Sequence, residues 1–356
     1  MVRRGIRRNG GVMSNSRRRF IAGAGAVAGA AIAGAPAIVT GQQPAKWRMQ
    51  TLWSAAEITH KAFEDLCGRI GKATNGRLEI QPFAAGAVVG PFETLDAVQA
   101  GVLQGQATAP VYFTGKDAGF SVLGDLNFGY QHPWQADAFY YYKGGLDLLR
   151  EGYARFNAHC VGVTWWGLES IVSKRSIRNM ADFKGVKFRS PQGISAEILT
   201  KLGAAIVVLP GGEVYSSLDK GVVDAADWGT VSMNQRMGFH DIAKFPTMFT
   251  HSMPCQDFTV NAAAWKALPA DVQQIVTSCV REWSIDQVQR VAVEDVRVLT
   301  ELKGKGVTLT TWDAEELRKV RALAQQVWAD WSKKSPLAKR GYDAQTAWLR
   351  ELGVLA

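Results

Sequence analysis

The chain has 356 residues, of which 47% are hydrophobic and 21% charged, a globular composition with room for about two domains of roughly 150 residues each. Its formal charge of +9 is misleading: seven of its 41 basic residues are arginines within residues 1–37, where there is no acid, and the remaining 34 nearly balance 32 acids. A near-neutral body argues against nucleic acid as a partner, because that requires a basic face on the folded domain.

Residues 1–37 read as a targeting segment. Arginines come first, and an uncharged Ala/Gly-rich run from Phe20 to Val39 follows. Ser16-Arg17-Arg18-Arg19-Phe20-Ile21 resembles a twin-arginine export signal. Ala33-Gly34-Ala35 and Ala35-Pro36-Ala37 are the two small-residue candidates for a cleavage site. A membrane anchor and a basic binding arm are the competing readings; Ala and Gly make the run only weakly apolar. No later stretch is long and apolar enough for a transmembrane helix.

Beyond this segment, Trp47 to Thr51 predicts a short strand, Ala55 to Ala73 a helix closed by Asn75-Gly76, and Leu78 to Pro82 a second strand. A short helix from Glu93 leads to a strand over 106–113, and 134–150 predicts one helix. Val161 to Trp166 reads as a buried strand and Ser173 to Asp182 as a polar turn. Gly185 to Arg189 alternates as a strand and stops at Ser190-Pro191. Ile194 to Leu202 is a helix with Gly203 past its end, and Ala205 to Leu209 an apolar strand. Ala270 to Lys303 is one long helix broken at Gly304 and Gly306. Ala314 to Lys333 is another, with Asp313 as N-cap. Alternating strands and helices predict an α/β architecture.

One internal similarity stands out. Glu93 to Ala107 and Glu213 to Asp227 share Glu, an aliphatic residue and Gly-Val at equal offsets. A short helix that ends on Gly and enters a strand gives this pattern, because Gly fits the left-handed turn after a helix. Two such units predict two similar α/β lobes that face each other across a cleft.

The motifs of catalysis are missing. Five scattered histidines include no pair at the i, i+4 spacing of a zinc helix, and there is no phosphate loop, no GxGxxG after a strand and no GxSxG elbow. Cys67, Cys160, Cys255 and Cys279 form no CxxC pattern and read as buried free thiols, although an oxidising compartment permits a disulfide. The chain is therefore not expected to be an enzyme.

Binding residues are better candidates. Arg189 sits at the carboxyl end of a strand, where ligands of open α/β sheets gather. Its guanidinium suits a carboxylate, or it is an ordinary surface arginine. Asp227 closes the second repeat, either as an acceptor or oxygen ligand for a hard cation, or as an acid paired with a nearby base. Trp228 reads as a pocket wall or as core. Pro210-Gly211-Gly212-Glu213 is a strand-to-helix turn that permits close packing, with an anion at its N–H groups as the other reading.

The export signal, the run Ser173-Lys174-Arg175-Ser176-Ile177 to Arg189-Ser190-Pro191, Leu209-Pro210-Gly211-Gly212-Glu213-Val214-Tyr215, Gly221 to Trp228, and Val260-Asn261 with Trp265 and Leu268-Pro269 together resemble the substrate-binding proteins of TRAP transporters, the DctP family. The resemblance covers about residues 45–340. It implies a two-lobed periplasmic binding protein fold with a long bracing helix and a helical C-terminal tail. The corresponding division is an N-terminal lobe of 45–166 plus 253–285, a C-terminal lobe of 167–252, and a bracing helix and tail of 286–356. It further implies a periplasmic protein whose Arg189 holds a carboxylate, delivering to a large and a small membrane subunit.

Leu209 to Glu213 and Asp227-Trp228 are similar to the 2-oxo acid and lactate branch. That likeness implies a monocarboxylate ligand (2-oxo, 2-hydroxy or aromatic) with a Ca²⁺ or Na⁺ ion beside it, held by Asp227, the main chain of Trp228 and Glu169. His251 or Gln256 supplies a further position, although imidazole is a poor ligand for a hard cation. Trp53, Ser54 and Tyr112 complete the expected site from the N-terminal lobe. The alternatives are a ligand sensor without a transporter and a twin-arginine-exported enzyme.

Overall fold

The computed structural model describes residues 43–355; the targeting segment of 1–37 lies outside the described residues. In chain order the strands are β1 (Ala45–Thr51), β2 (Leu78–Phe83), β3 (Gly105–Ala107), β4 (Ala158–Trp165), β5 (Ser170–Ser173), β6 (Lys187–Arg189), β7 (Ala205–Val207), β8 (Ala225–Gly229), β9 (Thr247–Met248), β10 (Cys255–Asn261) and β11 (Thr310–Thr311). They form two sheets of order β2-β1-β3-β10-β4 and β11-β9-β5-β8-β6-β7.

The sheets share one plan. In the first, β2, β1 and β3 are parallel and β10 runs against β3. In the second, β7, β6 and β8 are parallel and β5 runs against β8. The internal similarity falls at equivalent places in this plan. Helix Thr94–Gln99 passes through Gly101 (φ 75°) into β3, and helix Val214–Asp219 passes through Gly221 (φ 70°) into β8. Only a left-handed residue reverses the chain this tightly, which is why Gly recurs at both ends.

The chain passes directly from one sheet to the other, with no intervening helix, at two places. Residues 166–169 join β4 to β5, and residues 249–254 join β9 to β10. Each crossing contains a positive-φ residue, Gly167 (φ 109°) and Thr250 (φ 53°).

Helix Ala270–Lys303 is continuous, as its spacing predicts, and at 1.5 Å per residue it extends about 51 Å. Its first half buries Val272, Val276, Val280 and Trp283 against Phe63, Leu66 and Phe258 of the first sheet's core. Its second half lies on the other unit: Val291 joins the cluster of Trp228 and Met233, and Val298 packs on Val231. Asp295 fixes that half, accepting from Thr230 Oγ1 at 2.7 Å and Ser232 N at 2.8 Å. The division drawn at 285/286 thus falls inside an unbroken helix.

Several element bounds differ from the sequence reading. The strand expected over 106–113 stops at Ala107, because Pro110 has no N–H for a ladder and opens a 3₁₀ turn over Pro110–Phe113. The helix expected over 134–150 is two, Pro133–Tyr142 and Gly145–Ala154, parted at Gly144 (φ 86°). The polar stretch from Ser173 begins inside β5 and ends in a 3₁₀ turn at Met180–Phe183, capped by Asn179. The tail beyond the long helix is not wholly helical, since β11 adds to the second sheet. All four cysteines are free and buried.

One acid deep in the first sheet makes stability depend on pH. Asp257 is fully buried, accepts from Tyr153 Oη at 2.5 Å, and is pushed up to about 7 by burial, which outweighs its hydrogen bonds from Tyr153 and Gln106. Because the folded value lies above the unfolded one of about 3.9, the folded state holds the extra proton. This stabilisation is complete below about pH 4 and is lost as pH rises through about 7. Asp257→Asn mimics the protonated acid. The variant should match the parent below about pH 4 and lose less of its urea midpoint between about pH 4 and pH 8. Parallel midpoint curves for the two proteins would remove Asp257 as a source of the pH dependence.

Candidate ligand-binding site

A pocket of about 470 Å³, counting the space at its mouth, opens between the two sheets. The carboxyl ends of β6 and β8 and the two crossings converge on it.

Arg189, the last residue of β6, is 98% hidden from solvent (2% exposed). Its Nε donates to Leu209 O at 3.0 Å, and its Nη1 donates to Asp227 O. Its Nη2 is buried with no partner, and the guanidinium carbon lies 5.5 Å from the centre of the Trp228 ring. A buried guanidinium with an open donor is costly unless an anion satisfies it. Two carbonyls aim the side chain, and the remaining edge faces the pocket. The surface-arginine alternative does not hold.

Around this cation stand three buried acids. Asp227, in the middle of β8, accepts from Ser195 Oγ at 3.2 Å through Oδ2. Its Oδ1 has no hydrogen-bond partner and lies 3.5 Å from His251 Nε2. The first crossing brings Glu169, which accepts from Trp166 Nε1 at 2.9 Å and Ser252 Oγ at 2.8 Å. Asp125 accepts from the same Ser252 hydroxyl at 2.6 Å and from Asn127 Nδ2 at 2.8 Å. One hydroxyl carries one proton, so it cannot donate to both acids at once, and one carboxyl must return a proton to it.

The electrostatics agree. Burial raises Glu169 well above the usual carboxylate range, and the neighbouring Asp227 charge adds to this. Asp125 is pushed up to about 7, mainly by burial. Burial also works to raise Asp227, but the adjacent Glu169 and His251 and the charge of Arg189 prevail and hold it well below that range. The two neighbouring carboxyls are thus driven apart, Glu169 toward its protonated form and Asp227 toward its ionised form.

Glu169, Asp227 and His251 offer ligand atoms that all lie within 4.8 Å of one another. The carboxyl groups of Glu169 and Asp227, the latter with its Oδ1 unpartnered, suit a hard cation, which takes oxygen ligands. The imidazole of His251 borders the cluster and is the less suited member. The register between β5 and β8 shifts beside Asp227 and Trp228, which releases main-chain groups from the ladder there.

Of the residues expected from sequence, Arg189, Asp227, Trp228, Tyr112 and Glu169 line this pocket. Trp53 does not: it stands behind the wall, edge-on to Trp166 at 4.7 Å and to Trp228 at 5.4 Å, with its Nε1 donating to Gln256 Oε1 at 3.0 Å. Ser54 turns away as well, its hydroxyl 3.4 Å from Glu57 Oε1. Gln256 is taken up by Trp53 and by Gln287, at 2.9 Å, so His251 and not Gln256 joins the acid cluster. The turn at Gly211 serves packing: a Cβ there would come within 1.7 Å of the Trp228 ring.

Asp125, Ser195 and Ser252 are pocket residues that sequence reasoning missed. Asp125 and Ser252 lie outside the repeated unit, and no local spacing ties them to Arg189. Ser195 lies six residues beyond Arg189, within the first turn of helix Ile194–Lys201, and that proximity was the available signal.

Comparison with known proteins places this geometry in context. Residues 49–334 match the profile of the bacterial extracellular solute-binding proteins, family 7. The chain is 30% identical over 315 residues to a monocarboxylate 2-oxoacid-binding periplasmic protein of Nostoc, covering 86% of this chain and 85% of that one. It is 27% identical to a TRAP transporter solute-binding protein of Bordetella bronchiseptica, solved as a mixed-occupancy dimer with calcium and picolinate in one site. That match has a TM-score of 0.82 and covers 88% and 94% of the two chains. It is 25% identical to a TRAP periplasmic solute-binding protein of Pseudoalteromonas atlantica solved with sodium and pyruvate, with a TM-score of 0.78 over 88% and 96%.

Proposed function

We propose that this chain, which belongs to family 7 of the bacterial extracellular solute-binding proteins, captures a small organic monocarboxylate and passes it to the membrane subunits of a TRAP transporter. Members of this family are binding components of transporters and not enzymes. The observation that carries the reading is the open Nη2 of a buried Arg189 aimed into a pocket. A carboxylate satisfies that donor and neutralises the cation, and hydrogen bonds between charged groups are the strong ones in such a site.

The ligand's second oxygen, a 2-oxo or 2-hydroxy group, then lies toward Asp227 and Glu169. A Ca²⁺ or Na⁺ ion there would be held by those two carboxylates and the main chain of Trp228, and it would offset the negative charge that ligand and acids bring together. Trp228, Trp166 and Tyr112 enclose the body of the acid. Relatives that bind 2-oxo acids, pyruvate and picolinate support this substrate class.

In this reading the lobes 45–166 with 253–285 and 167–252 close about the crossings at 166–169 and 249–254, while the long helix braces both. The names of the relatives and the twin-arginine-like start support a periplasmic site of action.

A thermal-shift screen tests the proposal. Across 2-oxo, 2-hydroxy, aromatic and dicarboxylic acids, with and without Ca²⁺, the cognate monocarboxylate should raise Tm by several degrees. Ligand at about 100 times Kd adds about 2.7 kcal/mol. A screen in which no monocarboxylate moves Tm counts against the proposal.

A further inference from the structure

We propose that Tyr112 and Gln192 form a size gate that confines the ligand to the inner pocket and selects acids with short bodies, an inference that rests on the carboxylate reading above.

A second cavity of about 750 Å³, again counting its open side, adjoins the ligand pocket and is bordered by Phe92, Glu93, Asp96, Lys116 and Val208. Four residues wall both spaces: Val111, Tyr112, Pro191 and Gln192. The first two belong to the 3₁₀ turn after β3, and the other two follow β6, the strand that carries Arg189. The partition therefore consists of one lip from each sheet's unit.

Both lips are held in place. Phe92 packs edge-on against the Tyr112 ring at 4.7 Å. On the opposite lip, Ile194 N donates to Ser121 Oγ at 3.0 Å, which ties the segment after Gln192 to the other side. Gly193 (φ 129°) makes that contact possible, because a Cβ there would come within 2.4 Å of the Ser121 hydroxyl.

The partition also stands close over the anchor. Tyr112 and Arg189 line the same inner pocket. An acid held at Arg189 Nη2 meets the Tyr112 ring after only a few atoms. A longer chain has to displace Tyr112 or pass the exposed Gln192 to reach the outer cavity. Phe92 and Val208 give that cavity apolar surface on which a released alkyl tail is buried.

Calorimetric titration of pyruvate and of 2-oxooctanoate into the parent, Tyr112→Ala and Gln192→Ala proteins tests the gate. The parent should bind pyruvate at least about 100-fold more tightly than 2-oxooctanoate. Each variant should narrow that ratio by about ten-fold or more, since each buried methylene is worth about four-fold in affinity. The ratio is the readout, so a general loss of affinity from Tyr112→Ala does not mimic the effect, and Gln192 is exposed enough to replace without disturbing the fold. A parent with no length preference, or variants that keep the parent ratio, overturns the gate and leaves the carboxylate reading intact. Failure of both acids to bind any of the three proteins overturns both.

Discussion

Replacing Arg189 with alanine should abolish the ligand-induced rise in Tm and weaken binding of the cognate acid by at least about 100-fold, equivalent to about 2.7 kcal/mol. Removing one partner of a buried charge pair costs about 2–5 kcal/mol, because the other charge is left in the pocket unpaired. The same change strips donors from two main-chain acceptors, Leu209 O and Asp227 O. An unsatisfied buried acceptor costs about 1–3 kcal/mol, so the variant should also melt lower without ligand. Arg189→Lys separates the two effects. It keeps the charge, but one ammonium cannot reach two carbonyls and a carboxylate in the planar fork that guanidinium provides, and intermediate affinity is expected. Calorimetry checks binding, and circular dichroism checks that the variants are folded. Parent-like affinity in a folded Arg189→Ala protein would falsify the assignment of Arg189 to the site.

The second large effect is expected at a residue with no side chain. Gly211→Ala places a methyl group 1.7 Å from the Trp228 ring. The indole is rigid and buried, so the ring moves into the pocket toward Arg189 or the turn at 211–213 gives way. Overpacking of this kind costs about 1–3 kcal/mol and sometimes more. Ligand affinity should fall with it, because Trp228 walls the pocket and faces the guanidinium. The neighbouring Gly212 is the control. A Cβ there meets nothing within 4 Å, and Gly212→Ala should stay within about 0.5 kcal/mol of the parent, as surface changes do. Chemical denaturation and titration of the two variants side by side decide the matter. Equal behaviour at 211 and 212 would show that the contact with Trp228 does not matter.

Much of this architecture was legible in local patterns. The helix at 270–303 appears with the bounds that its spacing and Gly304 indicate. The repeat was legible because helix, Gly and strand recur in fixed order, and both copies land on equivalent strands. The errors arose where one residue outweighs a pattern. Pro110 ends β3 early, and Gly144 divides a helix that composition alone would continue. Arg189, singled out by its position at a strand end, does line the pocket. Trp53 and Ser54 were placed by the same logic and missed the pocket, because position along a strand does not say which way a side chain turns.

The amino-acid sequence by itself determined the two α/β units, the long helix that spans them and the few residues at strand ends able to meet an anion. Those features depend on contacts between near neighbours: hydrophobic period, capping and left-handed glycine. Tertiary structure alone decided the electrostatics. Asp125, Glu169, Asp227, His251 and Arg189 lie up to 126 positions apart, and neither the buried acid cluster nor the open guanidinium edge exists until the two crossings bring them together. Desolvation supplies the reason. A carboxyl group acquires an unusual affinity for protons or cations only when folding removes water from it and sets a particular charge beside it, and no stretch of sequence records which charge that is.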